Sequence, residues 1–168
     1  GLQDTNKISI DSSADPLVED AVDFIADLRQ VKDFSSLPIG RNVVVIGGGM
    51  TAIDAAVQSQ LLGAEKVTII YRRNLANMSA SKKEQNNATS KGVKIITNAV
   101  PTSIYKQNGI HKLNLSYTEV DKHTGKLKEL EQTFSIEADQ IFCAIGQKFN
   151  NLLDVFKSHK GKIMIDEN

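Results

Sequence analysis

Three consecutive glycines follow a short apolar run and precede a segment with helical periodicity. Residues 43–46 (VVVI) lead directly into GGGMTA, which matches the pattern G-x-G-x-x-A. In this pattern Gly47 allows a tight turn, Gly49 lets a pyrophosphate approach the backbone, and Ala52 lets the helix pack closely on the strand. A glycine turn that serves packing alone is the alternative. We predict a dinucleotide phosphate site at the start of the helix, formed by Gly47, Gly48, Gly49, Met50, Thr51 and Ala52.

Two arginines, Arg72 and Arg73, follow the next apolar run, residues 66–71 (KVTIIY). At this place NAD sites carry an acidic residue that binds the ribose, whereas NADP sites present arginine to the 2′-phosphate. No acidic residue occurs between Arg73 and Glu84. A guanidinium can hold a phosphate through two parallel charge-assisted hydrogen bonds. The pair therefore predicts NADPH as the cofactor, and NADH is the alternative if the arginines are only solvated at a strand end.

A second glycine turn closes the last apolar run, residues 140–145 (QIFCAI). Ligands of doubly wound sheets lie beyond the carboxyl ends of the strands. We therefore expect this turn to line the same crevice as the first one, although termination of the strand would explain its glycine equally well. The residues of the second turn are Ala144, Ile145, Gly146 and Gln147.

The composition excludes several classes of protein and of site. The 20 Lys and Arg balance the 20 Asp and Glu, which argues against a binder of nucleic acids or membrane surfaces. The one cysteine, Cys143, lies in an apolar run, where a buried and inert thiol is expected. The three histidines are far apart. We predict no catalytic or metal-binding residue, no membrane span, and a soluble, cytoplasmic protein.

The elements around the first glycine turn form a strand, a helix and a second strand, which is a βαβ unit with parallel strands. Before it, residues 16–31 repeat apolar side chains at helical spacing, with Asp15 and Pro16 as the start signal. Within the unit, residues 50–61 should bury one face that includes Leu61. We expect residues 1–40 to be a lead-in segment whose one helix packs on a dinucleotide-binding domain formed by residues 41–168.

The second half of the chain combines a further helix with a small antiparallel sheet. Ser81 and Glu84 have the spacing of a capping box, and Gly92 would end a short exposed helix before a strand at residues 93–96. Alternating segments at 103–106, 112–120 and 127–136 then predict a β-meander, with a turn at Asn108 and Gly109. The predicted fold class is α/β, a Rossmann-like parallel sheet with helices on its faces plus this meander.

The order of the motifs resembles one family of flavoprotein reductases. The segments VVVIGGGMTAIDAA, VTIIYRR, MSASKKE, GVKIITNAVP and IFCAIGQKFN are similar to the nicotinamide-binding domain of the family that contains the glutamate synthase small subunit and the N-terminal reductase part of dihydropyrimidine dehydrogenase. The meander is more similar to the second of these. Where the family usually has proline before Asn150, this chain has Phe149.

The resemblance implies a domain inserted into an FAD domain, with iron-sulfur clusters that pass electrons to a partner domain or subunit. The chain begins without Met and stops inside an apolar run, so we expect it to be excised from a larger flavoprotein. It would bind NADPH or NADH for hydride transfer to FAD and be inactive without the FAD domain. A stand-alone dinucleotide-binding or redox-sensing domain is the alternative, and a purely structural Rossmann fold is a second one.

Overall fold

The computed structural model describes residues 17–33 and 36–146 of the 168-residue chain. These residues form eight strands, three α-helices and a 3₁₀ turn at Leu75–Asn77. The strands are β1 (Leu17–Asp20), β2 (Asn42–Ile46), β3 (Lys66–Ile70), β4 (Lys94–Ile96), β5 (Ala99–Gln107), β6 (Ile110–Val120), β7 (Leu127–Glu137) and β8 (Gln140–Cys143). The helices are α1 (Ala21–Gln30), α2 (Met50–Leu61) and α3 (Lys82–Ser90).

Five strands form one parallel sheet in the order β1-β8-β2-β3-β4. β2 lies at its centre, and all four residues from Val43 to Ile46 are buried. A strand covered on both faces needs such a continuous β-branched run. Because the strands are parallel, the carboxyl ends of β2, β3 and β8 lie along the same edge. This edge carries both glycine turns and the arginine pair.

Different layers cover the two faces of the parallel sheet. On one face α1 and α2 bury an apolar cluster in which the ring of Phe24 stacks on that of Phe142, with centroids 4.1 Å apart. On the other face lies the antiparallel sheet β5-β6-β7, whose Leu113 and Leu115 are fully buried in a cluster that includes Val44. The predicted fold class is therefore confirmed, a Rossmann-like sheet with helices plus a three-stranded meander.

The prediction of a helix from residue 16 was wrong at its start. Residues Leu17–Asp20 form β1, which pairs in parallel with β8, and α1 begins at Ala21. The side chain of Asp20 accepts a hydrogen bond from Val22 N–H at 2.7 Å and caps the helix. The expected start signal at residues 15 and 16 lies outside the described residues. The sheet edge offered by β8 satisfies the backbone of residues 17–20 as strand, which local spacing does not reveal.

The predicted buried face of α2 is wrong at one residue, whereas the start of α3 is as predicted. Leu61 was expected on the buried face of α2 but is 65% exposed, because Ala52, Ala55 and Ala56 form the face that packs in the core. α3 has the predicted capping box, with both reciprocal hydrogen bonds between Ser81 and Glu84.

The turn between β5 and β6 also follows the sequence. Asn108 and Gly109 both have positive φ, 52° and 79°, as a type I′ hairpin requires. Within the described part of the chain, no helix has the length and apolar character needed to span a bilayer.

Candidate functional site

The first glycine turn lies between β2 and α2, against the end of β8. Gly47 has φ +142°, and its N–H donates to the carbonyl of Ile70 at 3.0 Å. A Cβ atom at Gly47 would lie 2.5 Å from the carbonyl oxygen of Ala144. Both the backbone conformation and the lack of space therefore require glycine at this position.

Gly48 is required by a neighbour that the motif does not mention. A Cβ atom there would lie 2.5 Å from the ring of Tyr71, the residue that follows β3. The Tyr71 hydroxyl donates to the carbonyl of Asn77 at 2.9 Å, and the N–H of Ala80 donates to the carbonyl of Gly48 at 3.0 Å. The loop after β3 is thus attached to the glycine turn.

Gly49 leaves the start of α2 open. It has ordinary extended backbone angles, and no side chain of the described residues caps the helix. The nearest atom to a Cβ there would be Ser79 Oγ, at 3.1 Å. Met50 is exposed, Thr51 half-buried and Ala52 fully buried against the core. A pyrophosphate needs backbone N–H donors and the positive end of a helix dipole. A helix start without a capping side chain, preceded by a glycine, offers both.

The arginine pair follows the strand next to the glycine turn. Arg72 is exposed and Arg73 half-buried, and among the residues the structure describes neither guanidinium has an ion-pair partner. Their backbones, in contrast, are anchored. The hydroxyl of Thr118 donates to the carbonyl of Arg72 at 2.7 Å, and the N–H of Asn98 donates to the carbonyl of Arg73 at 3.0 Å.

The structure brings the second glycine turn against the first. The N–H of Ala144 donates to the carbonyl of Ile46 at 2.7 Å, and its carbonyl oxygen faces Gly47. Ile145 packs on the apolar cluster beneath the meander, and Gly146 has φ +62°. Gln147 lies outside the described residues. The expected proximity of the two turns is thus observed for Ala144, while contact of this turn with a cofactor stays a prediction.

Sequence reasoning missed Tyr71, Ser79, Asn98 and Thr118, all of which contact the predicted site residues. Tyr71 directly precedes the arginine pair, so its position in the sequence was a usable signal. No sequence pattern points to Thr118, because it lies 46 residues from Arg72 on a strand of the other sheet.

A groove lined by described residues lies elsewhere. It has a volume of about 510 Å³ and is lined by the first residues of three parallel strands, Asn42, Lys66 and Lys94, together with residues of β6 and β7. These residues mark the amino ends of the strands, opposite the glycine turns. The groove therefore takes no part in the predicted dinucleotide site.

Cys143 ends β8 beside the second turn and is buried. Burial, with a smaller contribution from the negative charge of Asp20, raises the pKa of the Cys143 thiol to about 12. We expect no measurable reaction of the folded chain with Ellman's reagent at pH 7 or pH 9, because the neutral thiol is not a nucleophile. One thiol per chain should react in denaturant. A Ser90→Cys variant, whose thiol is exposed, is the positive control, and rapid labelling of the folded unmodified chain would contradict the prediction.

Comparison with known proteins agrees with this architecture. A family model described as pyridine nucleotide-disulphide oxidoreductase matches residues 6–168. The NAD-dependent dihydropyrimidine dehydrogenase subunit PreT of Salmonella typhimurium is 34% identical over 145 residues, which are 86% of this chain and 31% of that protein. The NADPH glutamate synthase small chain of Escherichia coli is 32% identical over 120 residues, 67% of this chain and 25% of that protein. The chain thus spans less than a third of the length of these two relatives.

Solved structures show the same fold at lower identity. FprA from Mycobacterium tuberculosis is 16% identical with a TM-score of 0.56, covering 76% of this chain and 44% of that one. Thioredoxin reductase from Streptococcus pyogenes is 22% identical with a TM-score of 0.50, covering 67% of this chain and 33% of that one. The family resemblance predicted from the motifs is confirmed by the sequence relatives. The match to the family model along nearly the whole sequence shows that the chain belongs to the pyridine nucleotide-disulphide oxidoreductase family.

Proposed function

We propose that the chain is the NADPH-binding domain of an FAD-dependent, iron-sulfur-linked oxidoreductase. Bound NADPH would supply the hydride that reduces the flavin of a neighbouring FAD domain. The observation that carries the proposal is the open, uncapped start of α2 beside a strand, β3, that is followed by two arginines. Among the described residues neither arginine has an ion-pair partner. A structural glycine turn alone would not call for positive charge at that edge of the sheet.

Each part of the proposed site has one task. The turn at Gly47 and Gly49 would admit the pyrophosphate to the backbone N–H groups of Met50 and Thr51, and Ala52 keeps α2 close to the sheet. Arg72 and Arg73 would bind the 2′-phosphate. The turn at Ala144, Ile145, Gly146 and Gln147 would contact the cofactor or the FAD domain.

The choice of NADPH rests on the arginines, because the names of the two relatives indicate different nucleotides. The PreT subunit is named as NAD-dependent and the glutamate synthase small chain as NADPH-dependent. An NAD site would favour a carboxylate that accepts hydrogen bonds from the ribose hydroxyls. Here Arg72 and Arg73, which come after Tyr71 at the end of β3, are both cationic, and no acidic residue follows before Glu84.

FAD and iron-sulfur clusters would belong to other parts of the parent protein. Iron-sulfur clusters are held mainly by several cysteine thiolates, and the chain has a single cysteine, which is buried in β8. The chain covers less than a third of the two relatives, which fits a domain that works with an FAD domain and an iron-sulfur or catalytic subunit. Without that FAD domain we expect dinucleotide binding but no turnover.

Calorimetric titration with NADP⁺ and NAD⁺ tests the proposal. We expect tighter binding of NADP⁺, and we expect Arg72→Ala and Arg73→Ala to weaken it by about 1.5 to 3 kcal/mol, or roughly 10- to 150-fold, since each removes charge-assisted hydrogen bonds. Binding of NAD⁺, which lacks the 2′-phosphate, should hardly change.

Arg41→Ala is the matched control. Arg41 precedes β2 at the opposite end of the sheet, where its guanidinium pairs with Glu65, so its loss should leave both affinities unchanged. Equal affinities for the two nucleotides would contradict the NADPH assignment. Failure of both nucleotides to bind would contradict the dinucleotide site itself.

A further inference from the structure

The meander reaches the arginine pair through three hydrogen bonds. The hydroxyl of Thr118 on β6 donates to the carbonyl of Arg72 at 2.7 Å. The N–H of Thr118 donates to the carbonyl of Asn98 at 2.9 Å, and the N–H of Asn98 donates to the carbonyl of Arg73 at 3.0 Å. Thr118 is 6% exposed. A buried side chain of one sheet thus fixes the backbone at the end of a strand in the other sheet.

The backbone around these contacts is irregular at both partners. Asn98 adopts φ +56°, one of two such non-glycine residues among those described. The pairing of β6 with β7 shifts register between Ser116 and Thr118. Irregularities of this kind redirect a side chain that a regular ladder would point elsewhere, and they occur preferentially near functional sites.

The anchoring matters because the side chains of Arg72 and Arg73 have no ion pair of their own within the described ranges. A long, unpaired arginine loses much conformational entropy when it binds a phosphate. A fixed backbone at the base of the side chain reduces the region that the guanidinium samples. Two parallel hydrogen bonds to one phosphate require the guanidinium to be placed within such a small region. The carbonyls of both arginines are held, one by the Thr118 hydroxyl and the other by Asn98.

We propose that Thr118 is a positioning residue for recognition of the 2′-phosphate, acting through the backbone of Arg72 and Arg73. The inference rests on the proposed NADPH-binding function. It gives the three-stranded sheet a role in cofactor selectivity in addition to covering one face of the parallel sheet. Thr118 itself would touch no part of the cofactor.

The test measures the ratio of the dissociation constants for NAD⁺ and NADP⁺ in the 168-residue chain. For Thr118→Val, which keeps the shape and removes the hydroxyl, we expect the ratio to fall about fivefold, the effect of one neutral hydrogen bond. Thr118→Ser should retain the original ratio. Because the valine variant leaves a carbonyl unsatisfied and could fail to fold, Thr118→Ala, which leaves room for water at that carbonyl, provides a second measurement with the same expected direction.

Thr102→Val is the matched control. The Thr102 hydroxyl donates to the carbonyl of Asn114 at 3.2 Å, inside the meander and away from the arginines. The Thr102→Val variant should lower the stability of the chain without changing the ratio of the two dissociation constants. A further check is Thr118→Val in the Arg72→Ala/Arg73→Ala background, where it should change NADP⁺ affinity no further, since residues that act through one another are not additive.

The outcomes separate this inference from the proposed function. If the chain prefers NADP⁺ and loses the preference with the arginines, but Thr118→Val or Thr118→Ala keeps the original ratio, the positioning role is wrong and the proposed function stands. A fall in the ratio that Thr118→Ser does not restore, or that Thr102→Val reproduces, would also overturn it. If the unmodified chain has no preference for NADP⁺, both proposals fail.

Discussion

An alanine at position 49 is expected to leave the chain folded and to weaken binding of NADP⁺ and NAD⁺ alike. The backbone of Gly49 is in an ordinary extended conformation. Among the described residues, the one close neighbour of an added methyl would be the hydroxyl of Ser79, which can rotate away. The methyl would stand where the pyrophosphate approaches the first turn of α2. Losing about two charge-assisted hydrogen bonds would cost about 3 kcal/mol or more, roughly 150-fold in affinity.

Calorimetric titration with both nucleotides, together with a thermal melt, measures this effect. The double variant Gly49→Ala/Ser79→Ala removes the hydroxyl that the methyl would displace, so the loss of affinity should persist in it. Recovery of binding in the double variant would mean that Ser79, and not the open turn, was responsible. The pattern also differs from that of the arginine variants, which should affect NADP⁺ alone.

An alanine at position 47 is expected to act on stability instead. Gly47 has φ +142°, which L side chains rarely adopt, and an added Cβ would lie 2.5 Å from the backbone carbonyl of Ala144. The added Cβ would clash with backbone, and both backbone segments directly follow strands of the central sheet. Neither segment can therefore shift without disturbing that sheet. Backbone strain of about 1 to 3 kcal/mol plus the clash should lower the free energy of unfolding by about 4 kcal/mol or more.

Urea unfolding followed by circular dichroism gives the free energy directly. Gly109→Ala is the control, because Gly109 also has positive φ, 79°, but no atom of the described part of the chain lies within 4 Å of an added Cβ. It should lose only the strain contribution of about 1 kcal/mol. Equal losses in the two variants would show that the contact between the two glycine turns contributes little.

Local patterns predicted the parts of the fold whose stabilisation is local. The run VVVI followed by GGGMTA identified β2, the turn and α2. A strand buried on both faces requires apolar residues, and a tight turn requires glycine, so both can be predicted from residue type. The reciprocal bonds between Ser81 and Glu84, and the positive φ values at Asn108 and Gly109, were likewise readable. Each depends on residues within a few positions of one another.

The start of α1 shows where this reasoning ends. Leucine and valine at positions 17 and 18 fit both a helical face and a strand, and β1 forms because Val18 pairs with Ile141, more than 120 residues later. Leu61 fits the apolar spacing of α2, yet it is 65% exposed because the small side chains Ala52, Ala55 and Ala56 form the packed face. Which face of an element is covered depends on what packs against it.

By itself, then, the amino-acid sequence determined the type and order of the elements around the candidate site, the glycine turn and the pair of arginines, since these follow from local sterics and charge. The rule for doubly wound sheets predicted that the two glycine turns share an edge. Only the tertiary structure decided which atoms meet there: the carbonyl of Ala144 faces Gly47, the ring of Tyr71 covers Gly48, and the hydroxyl of Thr118 holds the carbonyl of Arg72. These contacts join residues that are distant in the chain. They depend on the order of strands in the sheet and on the packing of the meander against it, and no local pattern encodes either.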